Sequence, residues 1–113
     1  MLMPQNVKIL VATMPVDMRR TYDGLCGMVR DVLKEEPMSG ALFVFCNRRR
    51  DQVRILWWDR TGFAIWMKRL ERGTFRLPSG ANAQPFSSAQ LVMLLEGIEL
   101  KGLRQHRRYE MVA

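Results

Sequence analysis

Three short apolar runs, Leu42–Cys46, Val53–Trp58 and Phe63–Met67, follow one another inside the stretch ALFVFCNRRRDQVRILWWDRTGFAIWMKRLERGTFRLP that spans Ala41 to Pro78. Each is five or six residues long, rich in β-branched and aromatic side chains, and bounded by polar turn residues. That pattern specifies consecutive antiparallel strands more tightly than anything else in the chain specifies another element. The arginine-loaded segment Asn47–Gln52 separates the first two runs, and Asp59-Arg60-Thr61-Gly62 separates the second pair. Gly62 stands where a type I turn followed by a left-handed residue calls for glycine. Two registers suit this second hairpin. In one, Trp58 faces Phe63, Leu56 faces Ile65 and Arg54 faces Met67. In the other, a one-residue bulge sets Val53, Ile55 and Trp57 beside Phe63, Ile65 and Met67.

The elements around this meander are read from periodicity. Val7–Ala12 is expected as a first strand between Pro4 and Pro15. After Pro15, Tyr22, Leu25, Cys26, Val29, Val32 and Leu33 make one stripe of an amphipathic helix, capped by Asp17 or Thr21 and closed by Pro37. Gly24 and Gly27 lie off that stripe and cost ~1 kcal/mol each relative to alanine. Tolerating both points either to close approach by another backbone or to a marginal helix. Pro37–Gly40 reads as a loop, Thr74–Leu77 as one more short strand, and Ser79–Gln84 as a flexible connection. Phe86–Gly97 carries full helix punctuation: Ser87 as N-cap, Gln90 completing a capping box, Phe86 and Leu91 as a hydrophobic staple, and Gly97 as the stop. Its stripe is Leu91, Leu94, Leu95 and Ile98. The expected fold class is α+β: a small antiparallel sheet of four to five strands with two amphipathic helices packed on one face.

At 113 residues the chain is long enough for one domain and its core, taken as residues 7–100, with a basic tail at 101–113. No apolar run approaches the length of a membrane span, and Gln5, Asn6 and Lys8 interrupt any signal-peptide profile, so a cytoplasmic protein with no membrane partner is expected. Cys26 and Cys46 fit neither a disulfide framework nor a zinc site, and read as small buried hydrophobes. The net charge of +7 favours a polyanionic partner, although plain solubility is a common enough use of such charge that charge alone does not decide. Its distribution is lopsided. Nine of the eighteen basic residues lie between Arg48 and Arg76, against three acids, Asp51, Asp59 and Glu71. A second cluster, Lys101, Arg104, Arg107 and Arg108, lies near the C-terminus.

Asp17-Met18-Arg19 with Asp23-Gly24-Leu25, the whole stretch from Gly40 to Pro78, and LLEGIEL ending at Leu100 together resemble a known family. It is the TnpB-type accessory protein encoded by the second reading frame of bacterial insertion sequences of the IS-sixty-six family. The resemblance covers residues 9 to 100, and FVF-x-NRRR, ILWWD and KRLERG-x-F are its specific parts. It implies a protein that assists transposition beside a separate, larger transposase, and it carries over no catalytic residues.

The residues agree with a non-catalytic reading. Phosphoryl transfer by two metal ions needs clustered carboxylates, and only Asp17, Asp51, Asp59 and Glu71 lie near the centre. Asp51 and Asp59 sit in turns, where aspartate serves local hydrogen bonding, and Glu71 between Arg69 and Arg72 reads as an ion-pair partner. The single histidine, His106, lies in the basic tail, and no phosphate-binding glycine loop is present. Cys46 beside a cationic turn would have a lowered pKa if exposed, whereas a core position makes it inert. No cofactor or metal is expected.

The expected function is DNA binding in aid of transposition, with Arg48, Arg49, Arg50, Arg54, Lys68, Arg69, Arg72 and Arg76 clamping phosphates. A solvated hairpin loop is the alternative for the arginine turn. Trp57, Trp58 and Trp66 read first as core. Strand alternation turns one of the adjacent pair away from the other, however, and the outward one is a candidate anchor for a partner. The alternative function is an adaptor that docks the transposase or a second copy of itself without touching DNA.

Overall fold

Four apolar residues in a row, Ile9–Ala12, form β1, and five more, Leu42–Cys46, form β2. Neither strand alternates with polar residues, and every residue of both is buried, as strands covered on both faces must be. The computed structural model that shows this describes residues 6–97. Between the two strands the chain forms helix α1, Tyr22–Asp31, and a 3-10 turn at Pro37–Ser39. β1 and β2 are therefore parallel neighbours, with Ile9 opposite Leu42 and Val11 opposite Val44, joined by a helical crossover. The meander continues as β3, Gln52–Trp58, and β4, Phe63–Arg69. Strand β5, Ala83–Phe86, then pairs antiparallel with the free side of β1, and helix α2, Ser88–Glu96, follows. The sheet order is β4-β3-β2-β1-β5.

The α+β class, the number of strands and the two helices agree with the sequence. Two details differ. One of the four strand pairings, β1 with β2, is parallel. The helices also lie on opposite faces instead of sharing one. Leu91 and Leu94 of α2 pack with Ile9, Val11, Val44 and Ile55, whereas Leu25, Cys26 and Val29 of α1 pack with Leu10, Phe43, Phe45 and Leu56. The pleat sends alternate residues of each strand to the two sides, and runs with no polar residue leave both sides to be covered.

Each helix ends for a visible reason. In α2 the Ser87 hydroxyl accepts from the Gln90 N–H while the Gln90 side chain accepts from the Ser87 N–H, and Gly97 closes the helix at φ 77°. In α1, Thr21 holds the N-cap position without a side-chain bond, and Asp17 instead caps its own short turn by accepting from the Arg19 N–H. The helix stops several residues before Pro37, where Lys34 turns left-handed at φ 57° and Glu35 N–H reaches back to the Val29 carbonyl. The glycines of α1 are not there for a neighbouring backbone. A Cβ on Gly24 would crowd the Arg20 side chain at 3.1 Å, and one on Gly27 would meet open space. The helix is thus weak in itself and held by its buried stripe.

After β4 the expected strand at Thr74–Leu77 is absent. That segment runs as a loop, Phe75 is fully buried within it, and the fifth strand forms at Ala83–Phe86, partly inside the expected flexible connection. Local propensity favours TFRL over AQPF, but only the latter lies beside the free edge of β1. Pro85 is tolerated there because β5 is an edge. Ile98 and the basic tail lie outside the described residues.

Candidate nucleic-acid interface

Because β1 and β2 run the same way, their carboxyl ends, the β2–β3 turn, the start of β3 and the end of β4 all meet at one end of the sheet. The segment leaving β1 is fixed at that end by Val16 N–H donating to the Cys46 carbonyl at 2.9 Å. Arg54, half-buried in β3, donates from Nη1 to the Arg20 carbonyl and so ties the start of α1 to the meander. Arg19, Arg20, Arg48, Arg49, Arg50, Arg54, Lys68 and Arg69 consequently gather at one end. Lys8 lies at the other, ion-paired with Glu35 at 2.8 Å. Arg19 and Arg20 are the addition that sequence alone did not assign. The signal for them was an arginine inside a strand, which must be paired or facing something.

The turn that displays Arg48, Arg49 and Arg50 is rigidly built. The Asn47 side-chain oxygen accepts from the N–H groups of Asp51 and Gln52 at 3.0 and 3.1 Å, and its amide donates to the Asp51 carboxylate at 2.7 Å. Arg50 takes the left-handed conformation at φ 62°, uncommon for a side chain of its size. The chain beyond β4 braces the turn from the side, with Leu70 N–H on the Asp51 carbonyl and Phe75 N–H on the Arg50 carbonyl, both at 2.7 Å. All three arginine side chains are exposed. Their carrier is fixed while the guanidinium groups reach into water.

The hairpin register is the unbulged one, with Trp58 opposite Phe63, Leu56 opposite Ile65 and Arg54 opposite Met67. The left-handed residue in its turn is Arg60, at φ 56°, and Gly62 is not in that region. This register sorts the remaining cations by face. Arg54 and Arg69 share the face on which α1 packs, whereas Lys68 lies on the α2 face and donates from Nζ to the Leu95 carbonyl at 2.9 Å. Lys68 thus closes the C-terminal end of α2, where a cation meets the negative end of the helix dipole. Arg69 and Glu71 approach to 3.8 Å on the exposed surface. A shallow, open depression lies between Gln52, Arg54, Met67 and Arg69 beside the arginine turn. Arg72 and Arg76 stand on the bracing loop, exposed and each with a partner interaction.

The tryptophans divide in the same way. Trp57 and Trp66 pack against the core under α2, and Trp58 points to the α1 face, where it meets Phe63 edge-on with ring centroids 5.0 Å apart. Trp58 is therefore the one of the adjacent pair that turns away from the core cluster under α2. Trp57, Trp58 and Trp66 are all only half-buried.

The candidate carboxylates Asp17, Asp51, Asp59 and Glu71 form no metal-holding group among the described residues. Asp51 and Asp59 mark opposite ends of β3, about 25 Å apart at strand rise. Asp17 is held by a forked pair of bonds from Arg19, the shortest 2.7 Å, which draws its pKa down to about 2. Among the described residues no group of three or more His, Cys, Asp or Glu side chains is placed to hold a metal ion. Cys26 and Cys46 are free and buried; burial pushes the Cys46 thiol up to about 11, so the cationic turn beside it does not activate it. No helix among the described residues is long and apolar enough to cross a membrane.

Comparison with known proteins gives a consistent result. The profile of a family described as IS66 Orf2 like protein matches residues 7–105. Two similar proteins come from Sinorhizobium fredii. The uncharacterized protein y4hO is 42% identical over 96 residues, covering 84% of each chain. The uncharacterized protein y4jC is 35% identical over 96 residues, covering 84% of this chain and 82% of its own. No solved structure matches the chain.

Proposed function

Because the chain belongs to the family of IS66 Orf2 like proteins, we propose that it is a non-catalytic accessory factor of transposition that holds DNA at the arginine end of its sheet. The observation that carries this reading is the braced turn with Arg48, Arg49 and Arg50 exposed, standing beside Arg54 and Arg69. Guanidinium groups on a fixed backbone lose little further freedom when they meet phosphates, and their fork matches phosphate oxygens. The start of α1 faces the same end, so its dipole adds positive potential there. Lys68 is engaged with α2 and is a helix clip in this reading. A narrower set than the sequence suggested thus contacts DNA: the turn, Arg54, Arg69 and the neighbouring Arg20.

The test is the salt dependence of binding to duplex DNA. Replacing Arg48 and Arg49 by alanine and Arg50 by glycine, which accepts its left-handed backbone, removes up to three phosphate contacts. The slope of log affinity against log salt then falls by up to ~2.7, so raising salt fourfold weakens wild type by up to about 40-fold more than the variant. An unchanged slope, together with loss of transposase in a pull-down, refutes the DNA reading and favours the adaptor.

A further inference from the structure

The two edges of the sheet are built differently. β5 is four residues long and carries Pro85, two features that blunt an edge against further pairing. β4 is seven residues long, FAIWMKR, with no proline and no bulge. Its side chains are all half-buried or exposed, and Met67 is 63% exposed. The usual protection by charge is weak, since Lys68 is turned back onto α2 and Arg69 sits at the very end.

Among the described residues the backbone of this edge has no strand partner on its outer side, and its register is definite. Asp59 N–H bonds to the Gly62 carbonyl at one end of the β3–β4 ladder, and Leu70 N–H bonds to the Asp51 carbonyl at the other. Hydrogen-bonded pairs alternate along an antiparallel ladder. Counting inward from either end, Trp57–Ala64, Ile55–Trp66 and Val53–Lys68 are the bonded pairs. The N–H and C=O groups of Phe63, Ile65 and Met67 therefore point out of the sheet.

We infer that the β4 edge is the site where a second copy of this chain adds, antiparallel, about a two-fold axis at Ile65. Self-complementarity is what selects a second copy. With Ile65 opposite itself, Phe63 faces Met67 of the other copy on one side of the sheet, and the small Ala64 faces the large Trp66 on the other. Lys68 and Arg69 come opposite Gly62 and Thr61, so no cation meets a cation. Beyond the strand ends Asp59 comes opposite Glu71 of the second copy, with Arg69 diagonal to Asp59 and 3.8 Å from the Glu71 of its own chain. The two five-stranded sheets become one, with an arginine end at each extremity. Such a dimer presents two DNA-contacting ends facing opposite ways, although its formation does not depend on DNA.

Light scattering behind size-exclusion chromatography of the full chain tests this. The expected mass is twice 13.2 kDa, falling toward 13.2 kDa on dilution. Met67→Lys, at an exposed position that leaves the fold intact, removes both symmetry-related Phe63–Met67 pairs and raises the dissociation constant about tenfold. Ile65→Cys provides a gain of signal. Its two copies face each other at about 5.5 Å between Cα atoms, within disulfide range, and cross-link on oxidation, whereas Phe63→Cys alone does not. A monomer at every concentration overturns the proposal. So does a monomer that dimerises only after removal of residues 98–113, which would make that segment the occupant. A dimer that ignores Met67→Lys and is not trapped by Ile65→Cys uses another surface, and equally overturns it.

Discussion

Phe75 is fully buried in a segment with no regular structure, and it sits in the same core cluster as Cys46 and Val53, at the root of the arginine turn. Phe75→Ala should therefore behave as a core truncation although the residue lies in a loop. Phenylalanine-to-alanine changes at buried sites cost about 3–5 kcal/mol, because the cavity collapses only in part. With a total stability of roughly 5–15 kcal/mol, that loss is a large share of the whole. At a urea m-value near 1.5 kcal/mol/M, the midpoint should fall by about 2–3 M with the slope unchanged. Tyr22→Ala removes a similar ring from a position 47% exposed and is the control, expected to cost under ~1 kcal/mol. The turn should respond as well. Phe75 N–H bonds to the Arg50 carbonyl, so amide exchange at Arg50 and Asp51 should quicken more than at the far hairpin around Arg60. Equal losses for the two variants, or a loss below ~1 kcal/mol for Phe75→Ala, would refute the claim that this loop residue anchors the turn.

Three further outcomes are expected. Ser87→Ala should lose about 1 kcal/mol in urea melts by opening the capping box, and Leu94→Ala about 2–5 kcal/mol as a buried contact of α2. Lys68→Met should cost about 1 kcal/mol through the freed Leu95 carbonyl while leaving the salt slope of DNA binding unchanged, whereas a fall of ~0.9 would make Lys68 a phosphate contact. The Asp17 carboxyl should titrate at about 2 by NMR and rise in Arg19→Ala, which removes the guanidinium, while the backbone N–H at position 19 keeps part of the lowering. Since its pKa is lowered in the fold, whatever stability the pair contributes is present above about pH 4 and is lost as pH falls toward 2.

The strands of the meander, the unbulged hairpin as one of two registers, the capped helix α2 and the exposed arginine turn were all legible in the sequence. Each rests on a local signal: apolar runs between turn residues, a capping box with its glycine stop, three arginines where no core position is available. The same local rules misplaced what depends on distant partners. Thr74–Leu77 looked more strand-like than Ala83–Phe86, yet only the latter had the vacant side of β1 to pair with. Lys68 and Arg69 looked like one basic surface, but the pleat divides them between the α2 face and the α1 face. The unbroken apolar runs ILVA and LFVFC did carry the news that both faces are covered, and a strand, a helix and a strand in succession allowed a parallel pair. Which residues must leave water, and with what period, is written locally along the chain, because burial and backbone preference act within a few residues. Which face each helix covers, which cations a helix end or a carboxylate engages and which strands lie at the sheet's edges among the described residues come only from contacts between segments far apart in the chain.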